Sequence, residues 1–207
     1  MFSDLLISDF EKVNGLSDPE FYSNFAFIMH AALVKDVSLY TDLVDKMYEI
    51  CEHDEEVLKD VLERADKAQK IVMLNFKEDN NTPSPLSFGF TISQVLSKVL
   101  KDKFNPGEYL SLGCVAQSYI SYKKNWLNKD EFYEIRDMFV PFYLPISVEM
   151  LDIDAVISEF IKDNEVNPDG NYTFVLLKKI GKTVIDRTVT VDDIKDAINE
   201  LNFDEAW

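Results

Sequence analysis

Apolar residues recur at three- and four-residue spacing along most of this chain, the pattern of helices that bury one stripe. Ser17, Asp18, Pro19 and Glu20 combine an N-cap serine, a proline in the first turn and a glutamate three residues after the cap, so a helix starts there. Its buried face is then Phe21, Phe25, Ile28, Met29 and Ala32. The same period predicts a helix over about residues 37–50, striped by Leu39, Leu43 and Met47. A long helix over about residues 54–75 carries Val57, Val61, Leu62, Ala65 and Ala68. Residues 79–87, rich in Asn, Pro and Ser, read as a loop. Helical spacing resumes over residues 88–100, 108–122, 129–139 and 155–163. Residues 172–177 and 184–189 then alternate around Gly181 and Lys182, which reads as a β-hairpin, and a last helix covers residues 191–201. The expected fold is mainly α: a single multihelical domain over residues 1–207 with one small C-terminal hairpin.

Composition narrows what such a domain binds. Lys and Arg number 21 against 38 Asp and Glu, a formal net charge of −17. That surface repels nucleic-acid phosphates and anionic lipid, so neither nucleic acid nor a membrane is an expected partner. None of the six glycines has G-x-G-x-x-G spacing, so no dinucleotide fingerprint is present. Gly181-Lys182-Thr183 imitates the end of a phosphate loop, but the required earlier glycine falls on Leu176. Cys51 and Cys114 form neither a C-x-x-C nor a disulfide framework. With no basic segment in the first ten residues and no membrane-length apolar run, a cytoplasmic protein is expected.

Few side chains advertise chemistry. His53 stands among Cys51, Glu52, Asp54, Glu55 and Glu56, a run with metal donors. Consecutive helical side chains point apart, however, and a solvated helix junction accounts for the run. His30, inside FAFIMHAALV, is expected to be a hydrogen-bonded core or boundary histidine. Cys114 reads as a small core residue.

The order of several segments carries more. Leu86-Ser-Phe-Gly-Phe-Thr-Ile-Ser-Gln94, Asn105-Pro-Gly-Glu-Tyr109, Phe142-Tyr-Leu-Pro145 and the strand Tyr172 to Leu177 ahead of Ile180-Gly181 resemble the C-terminal domain of 3-dehydroquinate synthase. That family reads L-N-F-G-H-T-x-x-H, H-G-E, G-L-P and a V-L-L strand before an I-G turn. Upstream, Leu16 to His30 resembles its L-P-x-x-x-x-x-x-G-x-A-E-x-x-K helix, and Arg64 matches the arginine of its R-S-x-x-x-K helix. The resemblance covers about residues 7–201.

In that family a separate domain binds NAD, and the helical domain supplies zinc through one glutamate and two histidines. The resemblance places those three ligands on Phe27, Phe90 and Pro106, none of which is a donor. The second histidine becomes Gln94, the helix lysine His30, the lysine of R-S-x-x-x-K Gln69 and the asparagine of L-N-F-G Ser87. An arginine ahead of that motif falls on Pro83, and a D-K-K run becomes Asp163, Asn164 and Glu165. What survives is mainly scaffold, namely Gly89, Thr91, Gly107, Gly113, Pro145 and Gly181, with Glu108 the one notable polar survivor.

Loss of both zinc and NAD is therefore expected, with no catalytic residue and an old site filled by apolar atoms. The resemblance implies a non-catalytic relative, without the NAD domain, that acts through a protein partner or in regulation. The partner would dock on an apolar patch bordered by the first helix and the hairpin; homodimerisation is left open. Two other readings stay open: one subunit of a two-chain sugar phosphate cyclase with a separate NAD-binding chain, and new chemistry built on His30, Glu108 or His53.

Overall fold

Glu20 closes a capping box on the serine that precedes it: its Oε2 accepts from the Ser17 amide at 3.1 Å and the Ser17 hydroxyl at 2.6 Å. This starts α2 (Asp18–Lys35) as its sequence predicts. The computed structural model describes residues 6–76 and 82–203. Ahead of α2 lies a one-turn helix, α1 (Phe10–Asn14), which the apolar pattern does not mark. The helix expected over residues 37–50 is two helices, α3 (Val37–Asp45) and α4 (Met47–Cys51). Lys46, at φ −106° and ψ 21°, breaks the run, and Met47 is left partly exposed. Asp54 caps α5 (Glu55–Asn75) by accepting from the Val57 amide at 3.0 Å. Arg64, midway along α5, holds α3 in place through ion pairs to Asp42 and Asp36 and a 2.9 Å hydrogen bond to the Ser38 hydroxyl.

Residues 79–81 of the expected loop lie outside the described residues, and Pro85–Ser87 forms a 3-10 turn. Then come α6 (Phe90–Leu100), α7 (Pro106–Lys123), α8 (Lys129–Asp137) and α9 (Ile153–Asp163). The hairpin pairs β2 (Tyr172–Lys179) with β3 (Lys182–Val189) around Gly181, and α10 (Val191–Leu201) follows. A short parallel pair, β1 (Val148–Glu149) with β4 (Asn202–Phe203), adds to the expected hairpin. Two residues per strand are too few for alternation to show in sequence.

Helix α7 is the centre of the domain, packed by α2, α6, α8, α10 and β2. It is buried on nearly every side, and two of its polar residues serve the backbone of the hairpin. Gln117 Nε2 donates to the Val175 carbonyl at 2.8 Å, and Ser121 Oγ accepts from the Leu177 amide at 3.1 Å, pinning β2 to the helix. Cys114 is fully buried, and burial pushes its thiol pKa up, consistent with a packing role.

Candidate functional site

Two helices meet α7 with backbone against backbone. A Cβ on Gly107 would lie 1.9 Å from the Ser23 carbonyl oxygen in α2, and one on Gly113 would lie 2.0 Å from the Gly89 carbonyl oxygen. The Gly107 amide also donates to Ser23 Oγ at 3.0 Å, satisfying one of the unpaired donors at the start of α7. Gly89 itself, at φ +78°, turns the chain into α6 in a conformation that other residues resist. These contacts fix where α2, α6 and the start of α7 stand relative to one another.

One residue from each of those three segments, Phe27, Phe90 and Pro106, lines a single solvent-open cleft of about 530 Å³. Phe27 and Phe90 are 4% and 8% exposed, with ring centroids 6.4 Å apart, and they form an apolar floor. Phe104 and Tyr109, edge to face at 5.5 Å, and the polar residues Ser93, Gln94, Ser97, Lys101 and Asp102 complete it. The expected filling by apolar atoms is thus corrected: a floor is filled, but a cleft remains. Its helices are held by glycine contacts, so larger side chains cannot draw them together.

The other sequence-identified residues divide. Gln94 faces the cleft. His30 is buried directly behind it, T-shaped against Phe90 at 5.3 Å, with Nε2 2.9 Å from the Phe88 carbonyl oxygen. That contact makes Nε2 the protonated nitrogen of a neutral ring. Burial lowers its pKa from 6.5 to about 4, and the carbonyls of Phe88 and Leu86 only partly oppose this. Gln69, buried in α5, and Ser87, half-buried in its turn, are not among the residues lining the cleft. Glu108 does not line it either: its Oε2 accepts from the Asn105 amide at 2.7 Å and caps α7. His53 stacks on Phe21 at 4.1 Å. Among the described residues, no group of three His, Cys, Asp or Glu side chains is placed to hold a metal ion. Two phenyl rings and a pyrrolidine offer no lone-pair donor, so Phe27, Phe90 and Pro106 do not fit zinc.

Residues 25–166 match the family described as 3-dehydroquinate synthase C-terminal. The chain belongs to that family. It is 28% identical over 193 residues to the 3-dehydroquinate synthase of Coxiella burnetii (strain Dugway 5J108-111), covering 92% of this chain and 54% of that relative. The 3-dehydroquinate synthase of Thermodesulfovibrio yellowstonii is 24% identical over 194 residues, with 93% and 54% covered. Among solved structures, a 2-epi-5-epi-valiolone synthase from Streptomyces hygroscopicus subsp. jinggangensis, with NAD+ and Zn2+ bound, superposes with a TM-score of 0.82. It is 20% identical and is covered over 54% of its length by 93% of this chain. A 2-deoxy-scyllo-inosose synthase follows at a TM-score of 0.71. This chain thus spans about half the length of the dehydroquinate synthases it matches, and the fold is that of their C-terminal domain. No helix among the described residues is long and apolar enough to cross a membrane.

One concave site had no sequence signal. Tyr22 and Asp18 from α2, Glu108 from α7 and Tyr143 from the loop after α8 surround a second pocket of about 380 Å³. Its residues are scattered across more than half of the sequence, which no periodicity or motif connects.

Proposed function

We propose that this dehydroquinate-synthase-like domain is non-catalytic, uses neither zinc nor NAD, and acts through a protein partner or in regulation. The observation that carries this reading is the chemistry of one cleft. Phe27, Phe90 and Pro106 share it, and none can ligate a metal or exchange a proton. The polar residues around them, Ser93, Gln94, Ser97, Lys101 and Asp102, bring a single cation, whereas a multi-anionic sugar phosphate demands several.

Calorimetric titration of zinc into the metal-free protein tests the reading. No binding heat is expected at neutral pH, and tight one-to-one binding would overturn it. The triple substitution Phe27→Glu, Phe90→His and Pro106→His should confer one-to-one zinc binding, because the three positions face one cavity. Chelator competition against the unaltered protein reads that gain.

The family match to the synthases supports one further reading, a subunit of a two-chain sugar phosphate cyclase with a separate NAD-binding chain. It requires metal ligands or a catalytic cation from the other chain. Mixing the protein with an NAD-domain partner and assaying dehydroquinate formation separates it from the first, which predicts no product.

A further inference from the structure

The pocket between α2, α7 and the loop after α8 has a composition its neighbours lack. Two tyrosine rings, Tyr22 and Tyr143, stand 4.9 Å apart at an interplanar angle of 56°. Asp18 and Glu108 bring carboxylates to the same concavity, and no lysine or arginine lines it. Neither acid forms an ion pair within the described residues. Glu108 uses Oε2 for its capping bond, which leaves lone pairs on the carboxylate for a second donor.

The pocket is also built rigidly. Phe142 is buried and stacks on Phe25 of α2 at 4.5 Å, and that anchor delivers the next residue, Tyr143, to the rim. Tyr143 adopts φ +54°, a left-handed backbone that a bulky residue rarely takes, and its side chain remains 76% exposed. On the far side of the anchor, the Ser111 hydroxyl donates to the Pro145 carbonyl at 2.8 Å. An aromatic is thus held in water by a strained but anchored turn. Further apolar side chains are exposed on neighbouring elements: Val140 in the same turn at 51%, and Tyr48 in α4 at 71%. The Cys51 thiol, 3.9 Å from the Pro141 carbonyl, brings α4 alongside.

We propose that this pocket takes the cationic head of a lysine or arginine side chain projecting from a protein partner, with the packed tyrosine pair as one wall and Asp18 and Glu108 as its counter-charges. The ring faces are electron-rich and attract an ammonium or guanidinium group, and the carboxylates supply hydrogen-bond acceptors for it. The surrounding charge of −17 steers basic surfaces toward the site. The exposed Val140 and Tyr48 then meet the apolar surface around the inserted residue. The proposal deepens the interaction reading above and rests on it.

The test uses the full chain with 13C-labelled tyrosine rings and three blocked tripeptides: Gly-Lys-Gly, Gly-Arg-Gly and the uncharged Gly-norleucine-Gly. The Tyr22 and Tyr143 ring signals should move saturably with the first two, and at least about tenfold more weakly with norleucine. Asp18→Asn and Glu108→Gln should each weaken the basic peptides about three- to tenfold. Gln keeps the capping bond of α7, so that loss does not come from unfolding. Tyr143→Asn, which tolerates the left-handed backbone, should abolish the shifts. Equal response to norleucine, or unaltered binding in both charge variants, overturns the proposal. The readout is blind to zinc, so a failure here and a failure of the non-catalytic reading are told apart: zinc uptake would appear only in the calorimetric titration.

Discussion

Alanine at Gly107 or at Gly113 is expected to cost roughly 3 kcal/mol or more of folding stability, and the double variant is expected not to fold. Each new methyl group would meet a backbone atom, the Ser23 carbonyl oxygen at 1.9 Å or the Gly89 carbonyl oxygen at 2.0 Å. A side-chain obstacle rotates aside at small cost, but a carbonyl moves only with its helix or turn. Gly107→Ala also pushes its own amide off Ser23 Oγ, leaving a buried donor at the start of α7. Gly170→Ala is the control: its φ is +85°, but no atom lies within 4 Å of the new Cβ, so only the backbone penalty of about 1 kcal/mol remains. Urea unfolding of the three single variants decides the matter. Midpoints for Gly107→Ala and Gly113→Ala that match the Gly170→Ala midpoint would show that the helices do not approach this closely.

The same contacts explain which parts of the molecule were legible in the sequence. The start of α2 was readable because its signal is local: Ser17 and Glu20 act within one turn. The hairpin was readable because Gly181, at φ +77°, supplies the turn between two alternating runs. The break at Lys46 was not, since the apolar spacing of Leu39, Leu43 and Met47 runs through it unchanged. The cleft was half legible. The carried-over positions Phe27, Phe90 and Pro106 do lie together, but side-chain volume alone suggested closure, whereas helix spacing is set by glycines elsewhere. Glu108 invited reading as the remnant of the family site, but it stands outside the cleft and one of its oxygens caps α7. The tyrosine pocket was invisible because Tyr22 and Tyr143 meet only through the Phe25–Phe142 stack, a tertiary contact between distant segments.

Acidification below about pH 6.5 should destabilise the fold through His30. The ring is 1% exposed, and its pKa falls from 6.5 to about 4 because the buried site disfavours the charged form. The unfolded chain therefore takes up a proton that the folded chain refuses, and stability falls as pH drops from about 6.5 towards 4. Above 6.5 both states are neutral there and nothing is lost. Integrated over the window the loss is about 3 kcal/mol, with a slope approaching ~1.4 kcal/mol per pH unit between pH 6 and 4.5. Asp186 and Asp193 are drawn below the usual carboxylate range by hydrogen bonds that outweigh their burial, to Thr188 and Trp126 for the first and to Thr190 and Lys124 for the second. Their contributions are lost at lower pH, outside this window. His30→Gln retains a donor for the Phe88 carbonyl and has no charge to gain, so it should be somewhat less stable at pH 7 but nearly flat from pH 6.5 to 4.5. Denaturant titrations of both proteins across that range check the difference. An unchanged slope in His30→Gln would assign the acid lability to other groups, and would mean that the ring behind Phe90 is not held neutral by its burial.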